Sequence, residues 1–206
     1  MAKQAEIAGR IPVVTLSVAT LALVVYFSSP LQELLVYDRA AVSGGAVWRL
    51  FTAPFVHFSA SHIFWDALVF VAAGCLIETS GYRRFGLLCA IVAILPGSLL
   101  FLFSDLGRYG GLSGLSTGAA SYLCLCRAQA AGGKGRIWHL ILMLILLKTG
   151  VELAVQDPLF AKADRIPFRV LPLAHIVGLL TASFLFFHGR LGGRPTLTND
   201  DGTEPG

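Results

Sequence analysis

One glycine-rich run in this chain, Gly110-Gly111-Leu112-Ser113-Gly114, carries a serine into the start of an apolar stretch, and His175 stands near the start of a later one. A hydroxyl activated by an imidazole is the nucleophile and general base of acyl transfer, the chemistry that opens a peptide bond. Three further groups, His57, His62 and Asp66, gather where another apolar stretch begins; His62 and Asp66 are four apart and share a helix face. Ionisable side chains are costly in an apolar solvent, so those found there are functional candidates by default. Taken singly, each has a plainer reading. A serine among glycines packs helices together, and a lone buried histidine makes a structural hydrogen bond. Chemistry is favoured by the depth these residues share.

The composition identifies the solvent. Of 206 residues, 55% are hydrophobic and 14% charged, with a mean hydropathy of +0.72, values that fit a bilayer better than water. Six apolar stretches run over 11–28, 57–77, 85–103, 110–126, 137–155 and 170–188, each close to the ~17 to 25 residues that cross hydrocarbon as a helix. The expected fold class is an all-α membrane protein: a six-span bundle over 11–190, a cytoplasmic tail over 1–10, and a polar, disordered cytoplasmic tail over 191–206. Lys3 and Arg10 precede the first stretch as they would in a secretory signal, but its apolar core is long and no small-x-small cleavage site follows. It reads as a retained span.

Lys and Arg at the span ends set the direction. Arg83, Arg84, Arg127, Lys134 and Arg136 fall on the same side as both termini, against Arg39, Arg49, Arg108, Lys162, Arg165 and Arg169 opposite, which favours cytoplasmic termini. Even-numbered spans then all start at the outer face, and His57, His62, Asp66, Ser113 and His175 all lie toward those starts. At about 1.5 Å of rise per residue, Ser113 and His175 each sit on the order of 5 to 10 Å below the outer surface. Small residues supply the close approach that a hydroxyl–imidazole pair needs: Gly114 and Gly118 in the fourth stretch, and Ala174, Gly178 and Ala182 in the sixth.

The connections are uneven. The longest, about Ser28 to Ala53, holds Pro30, Gly44, Gly45 and Trp48 and reads as an outward segment lying at the interface rather than a loose linker. A second outward loop spans Asp157 to Phe168, and the basic, glycine-bearing links Ser80–Arg84 and Ala130–Arg136 are tight turns. Cys75, Cys89, Cys124 and Cys126 lie inside apolar stretches, where a thiol is a small hydrophobe; neither a disulfide framework nor a metal site is expected. Lys148 and Glu152, at i and i+4 in the fifth stretch, are expected to neutralise one another toward its outer end. A net charge of +4 dispersed over span ends does not make the basic stripe of a nucleic-acid binder.

Trp48-Arg49-Leu50-Phe51-Thr52, His57-Phe58-Ser59 with His62, Glu78, Gly111-Leu112-Ser113-Gly114 and Ala174-His175-Ile176-Val177-Gly178 resemble, in order and spacing, the rhomboid intramembrane serine proteases. The resemblance covers residues 36–188 and implies a six-helix rhomboid-like bundle that cleaves a membrane-anchored protein substrate in or beside its transmembrane segment, without a cofactor. It implies Ser113 as nucleophile, His175 as base, and an oxyanion site of the Ser113 N–H and His62, supported by Asp66, Gly111 and Gly114. His57 and Gly178 take structural roles beside it. Two departures stand out. Where the family has Asn, this chain has Asp66, which is either protonated or, the preferred reading, accepts from His62 and orients that ring. Where many members have a Tyr packed on the catalytic histidine, this chain has Thr117, so His175 must be supported differently. The Trp65-Asp66 pair, the compact length and the Lys148–Glu152 pair resemble the rhombosortases, bacterial members that process C-terminal Gly-Gly sorting segments. That implies an inner-membrane protein with its site toward the periplasm.

Two other classes compete with this reading. A small proton-coupled transporter could use His57, His62, Asp66, Lys148, Glu152 and His175 as a relay, but would show repeated halves and broken helices in both; the sequence shows only Pro96 as a clear interior helix breaker. A catalytically silent relative acting as a chaperone or scaffold usually lacks the serine or the histidine, and here both are present.

Overall fold

The computed structural model describes residues 10–155 and 172–191. Six long helices dominate it: α1 (Val13–Tyr26), then, after three short helices α2 (Ser29–Leu35), α3 (Arg39–Ser43) and α4 (Arg49–Thr52), α5 (Ala60–Thr79), α6 (Phe85–Phe103), α7 (Ser113–Ala131), α8 (Arg136–Val155) and α9 (Pro172–Leu191). The all-α membrane bundle expected from composition is the architecture found. Among the described residues, α5, α6, α8 and α9 are long and apolar enough to cross a membrane. Rows of exposed Leu, Met and Phe, such as Leu140, Met143, Leu144 and Leu147 on α8, present the apolar surface that lipid would cover.

The other two expected spans differ for identifiable reasons. The fourteen-residue α1 is short, and the chain bends by 112° from it into α2. The nineteen-residue α7 has sufficient length but is built of Gly, Ala, Ser, Thr and Cys as much as of large apolar residues. It packs against α5, α6, α8 and α9, most extensively α9, and ten of its residues are buried. A helix enclosed by protein needs small side chains for close approach more than it needs apolar surface for lipid. Leu115, Ala119 and Leu123 of α7 join Phe70 and Ile77 of α5, Leu88 and Val92 of α6 and Leu185 of α9 in the main core.

The contact of α7 with α9 is backbone on backbone. A Cβ at Gly178 would overlap the Gly114 carbonyl, and one at Gly114 would stand 2.9 Å from the Ala174 carbonyl oxygen. Glu78, at the end of α5, moors α1 by accepting from the Val14 N–H (3.0 Å), the Thr15 N–H (2.8 Å) and the Thr15 hydroxyl (2.6 Å). Those are the orphan donors of a helix's first turn, where a carboxylate also suits the helix dipole.

The segment over residues 28–53, expected to lie at the interface, is folded into short helices and a strand. Arg39 Nη1 donates to the carbonyls of Phe101 (2.8 Å) and Ser104 (2.6 Å) at the C-terminus of α6. Arg49 donates to the Val36 carbonyl (2.8 Å) and Trp48 Nε1 to that of Leu34 (3.1 Å). Gly97 of α6 lets the Leu50 backbone in, since a Cβ there would overlap the Leu50 carbonyl. Two antiparallel residue pairs, Tyr37 with Tyr109 and Asp38 with Arg108, join strands β1 (Tyr37–Asp38) and β2 (Arg108–Tyr109). That ladder ties the outward segment to the link that immediately precedes Gly110-Gly111. All four cysteines are free thiols inside helices. Pro96 lies within α6 without ending it. The expected outer loop from Asp157 to Phe168, residues 1–9 and the tail from Gly192 lie outside the described residues.

Candidate active site

Helix α5 is started by Ser59, whose hydroxyl accepts from the His62 N–H (3.1 Å), an N-cap that fixes His62 in the first turn and Asp66 one turn on. His62 Nε2 stands 3.2 Å and His57 Nε2 3.5 Å from Asp66 Oδ2, and the two rings meet edge to face at 4.9 Å. Both imidazoles are buried, and Asp66 is largely enclosed.

The glycine run fits against this cluster with no space to spare. Gly111 adopts a φ of +129°, open to glycine and strained for other residues; a Cβ there would lie 2.6 Å from His62 Nε2 and 3.5 Å from Asp66 Oδ2. A Cβ at Gly110 would lie 2.8 Å from the Val56 carbonyl oxygen. The Gly111 N–H donates to the Ala53 carbonyl (3.2 Å) and the Leu112 N–H to His57 Nε2 (3.2 Å). The Ser116 hydroxyl donates to the Asp66 carbonyl (2.7 Å), joining α7 to α5 a turn below Ser113. Half-buried Ser113 is the first residue of α7, so its N–H belongs to the turn that has no intrahelical acceptor.

His57, His62 and Asp66 each offer a ligand atom, all within 4.8 Å of one another, a spacing a metal ion could bridge. The lone pair of His57 Nε2 is already engaged by the Leu112 N–H, however, and that bond positions the residue preceding Ser113. A cation would have to break it. The donor set therefore suits a hydrogen-bonded support better than a metal centre.

His175, on α9, is 2% exposed. Its neighbour Ala174 touches Gly114, the neighbour of Ser113, so the turns bearing hydroxyl and imidazole adjoin. The residue that sequence reasoning left outside the site is Glu152. It is 2% exposed, and its Oε2 lies 3.1 Å from His175 Nδ1 and 2.7 Å from Lys148 Nζ. The expected Lys148–Glu152 pair is present, and it reaches the histidine as well. Glu152 lies near the C-terminal end of α8, and the depth argument applied to Ser113 and His175 extends to it.

A family model described as Rhomboid domain matches residues 44–190 of the chain. No curated protein matches it.

Proposed function

The chain belongs to the rhomboid family, and from that premise we propose that it is an intramembrane serine endopeptidase with Ser113 as nucleophile and His175 as general base. The observation that carries the reading is the backbone contact between Gly114 and Ala174, which brings the turns bearing hydroxyl and imidazole together. Ser113 Oγ attacks the scissile carbonyl as its proton passes to His175 Nε2. The proton then goes to the leaving amine as the C–N bond breaks, and water, activated by the same imidazole, hydrolyses the acyl-enzyme. The Ser113 N–H and His62 stabilise the oxyanion, each donor typically contributing about 3 to 4 kcal/mol to the transition state. Asp66 Oδ2, at ion-pair distance from His62 Nε2 (3.2 Å), orients that ring, and Gly111 gives the ring room. His57 positions Leu112 from below, and Gly178 sets the spacing of the two helices.

The enzyme, with six spans and both termini in the cytoplasm of a bacterial inner membrane, acts on a protein anchored by a transmembrane segment and cuts it near the outer face. The Trp65-Asp66 pair and the Lys148–Glu152 pair favour the rhombosortase subgroup and a C-terminal Gly-Gly sorting segment as its target. The test is reaction of the purified protein in detergent with a serine-directed fluorophosphonate. Wild type is labelled; Ser113→Ala is not, and His175→Ala is labelled far more slowly. Persistent labelling of Ser113→Ala removes that serine as nucleophile, and a wild type inert to the probe favours a relative that binds membrane segments without cutting them.

A further inference from the structure

We infer that Glu152 is a positioning residue for His175, which makes the catalytic unit a hydroxyl–imidazole–carboxylate relay with Lys148 as the counter-charge of the acid. The inference rests on the protease reading above. A carboxylate in the middle of an apolar bundle is costly unless it is paired, and losing a partner from such a group leaves an uncompensated charge. Glu152 is buried to 2% exposure and has two cationic or protonatable partners on one oxygen, Lys148 Nζ at 2.7 Å on its own helix and His175 Nδ1 at 3.1 Å across the α8–α9 contact. A pair placed only to neutralise charge would need Lys148 alone. The approach to the imidazole occupies one nitrogen of the ring and leaves Nε2 as the nitrogen for Ser113. Nδ1 and Oε2 meet at ion-pair distance without an in-line hydrogen bond, and catalytic contacts of this kind tighten when the substrate binds.

The chemistry follows from the tautomer. With the proton on Nδ1 directed at the carboxylate, Nε2 carries the lone pair that takes the Ser113 proton as the Oγ–carbon bond forms. The imidazolium so produced has Glu152 as its counter-ion, the Nδ1 proton stays where it is, and the Nε2 proton leaves with the amine when the carbon–nitrogen bond breaks. No proton is transferred to Glu152. The arrangement also answers the departure at Thr117, since the ring is held from α8 rather than by a tyrosine of α7.

Variants of the full-length protein separate this role from a structural one. Glu152→Gln leaves Lys148 as an unpaired, partly buried cation, so the informative variant is K148M/E152Q, which removes both charges at once. Cleavage of a membrane-anchored reporter substrate by K148M/E152Q is expected to lose roughly 10²- to 10⁴-fold in kcat with KM within about twofold and a wild-type melting temperature, while Glu152→Asp recovers part of the rate. Wild-type kcat in K148M/E152Q, with Ser113→Ala still inactive, overturns the relay and leaves the protease reading standing. Loss of the fold in every Glu152 variant makes the residue structural and overturns the relay too. Activity that survives in Ser113→Ala removes the protease reading itself, and the relay with it.

Discussion

At the scale of single residues, the site is governed by what fits between His62 and the glycine turn. Gly111→Ala puts a methyl 2.6 Å from His62 Nε2 at a φ of +129°, a conformation costing about 1 to 3 kcal/mol for such a residue. The expected outcome is a protein that folds with reduced stability and labels with fluorophosphonate at least about tenfold more slowly, because the proposed oxyanion donor His62 is displaced. Asp66→Asn keeps an acceptor oxygen opposite His62 and should retain measurable activity, whereas Asp66→Leu removes it and should lose most; equal turnover in both would take Asp66 out of the site. Because Leu112 N–H engages His57 Nε2, exhaustive dialysis against a metal chelator should leave labelling unchanged, and a loss restored by zinc would reassign the three residues as ligands.

At the scale of elements, packing of α7 on α9 decides how near Ser113 and His175 come. Gly178→Ala drives a methyl into the Gly114 carbonyl, while Gly150→Ala on α8 meets nothing within 4 Å. The first should lower both melting temperature and turnover. The second should be neutral, or stabilising by about 0.5 to 1 kcal/mol, as expected for glycine replaced in an exposed helix interior. Ser59→Ala removes the N-cap of α5 at a cost of about 1 kcal/mol, read as a drop of roughly 2 to 4 °C in melting temperature. The elements were largely legible in the sequence, since a run such as Phe85–Phe103 can scarcely be other than a buried or lipid-facing helix. The two-residue strands were not, because Tyr37–Asp38 and Arg108–Tyr109 are too short for a period to register. Ser113, His175, His62 and Asp66 were legible as candidates because polar groups stand out against an apolar background. Glu152 stood out equally, but its i, i+4 partner Lys148 supplied a sufficient local account, and the contact with His175 across helices distant in sequence had no local signature.

At the scale of the whole molecule, the bundle is organised around α7, the helix least like a membrane span by composition and most enclosed by its neighbours. Topology can be read from a version lacking its native thiols: Ser43→Cys in the outward segment and Gly133→Cys in the link after α7 should react with an impermeant maleimide from opposite sides of sealed vesicles. Reaction of both from the same side would overturn the orientation inferred from the Lys and Arg distribution.

The segment over residues 36–52 is held by bonds to the core at several points, among them Arg39 on the carbonyls ending α6, Leu50 seated at Gly97, and the Tyr37–Tyr109 ladder. A soluble protease offered to the purified protein accordingly finds no detachable flap between residues 36 and 52. Nicking there has to wait until much of the bundle opens, so its rate follows the equilibrium for that larger opening and slows in step with any mutation that stabilises the whole.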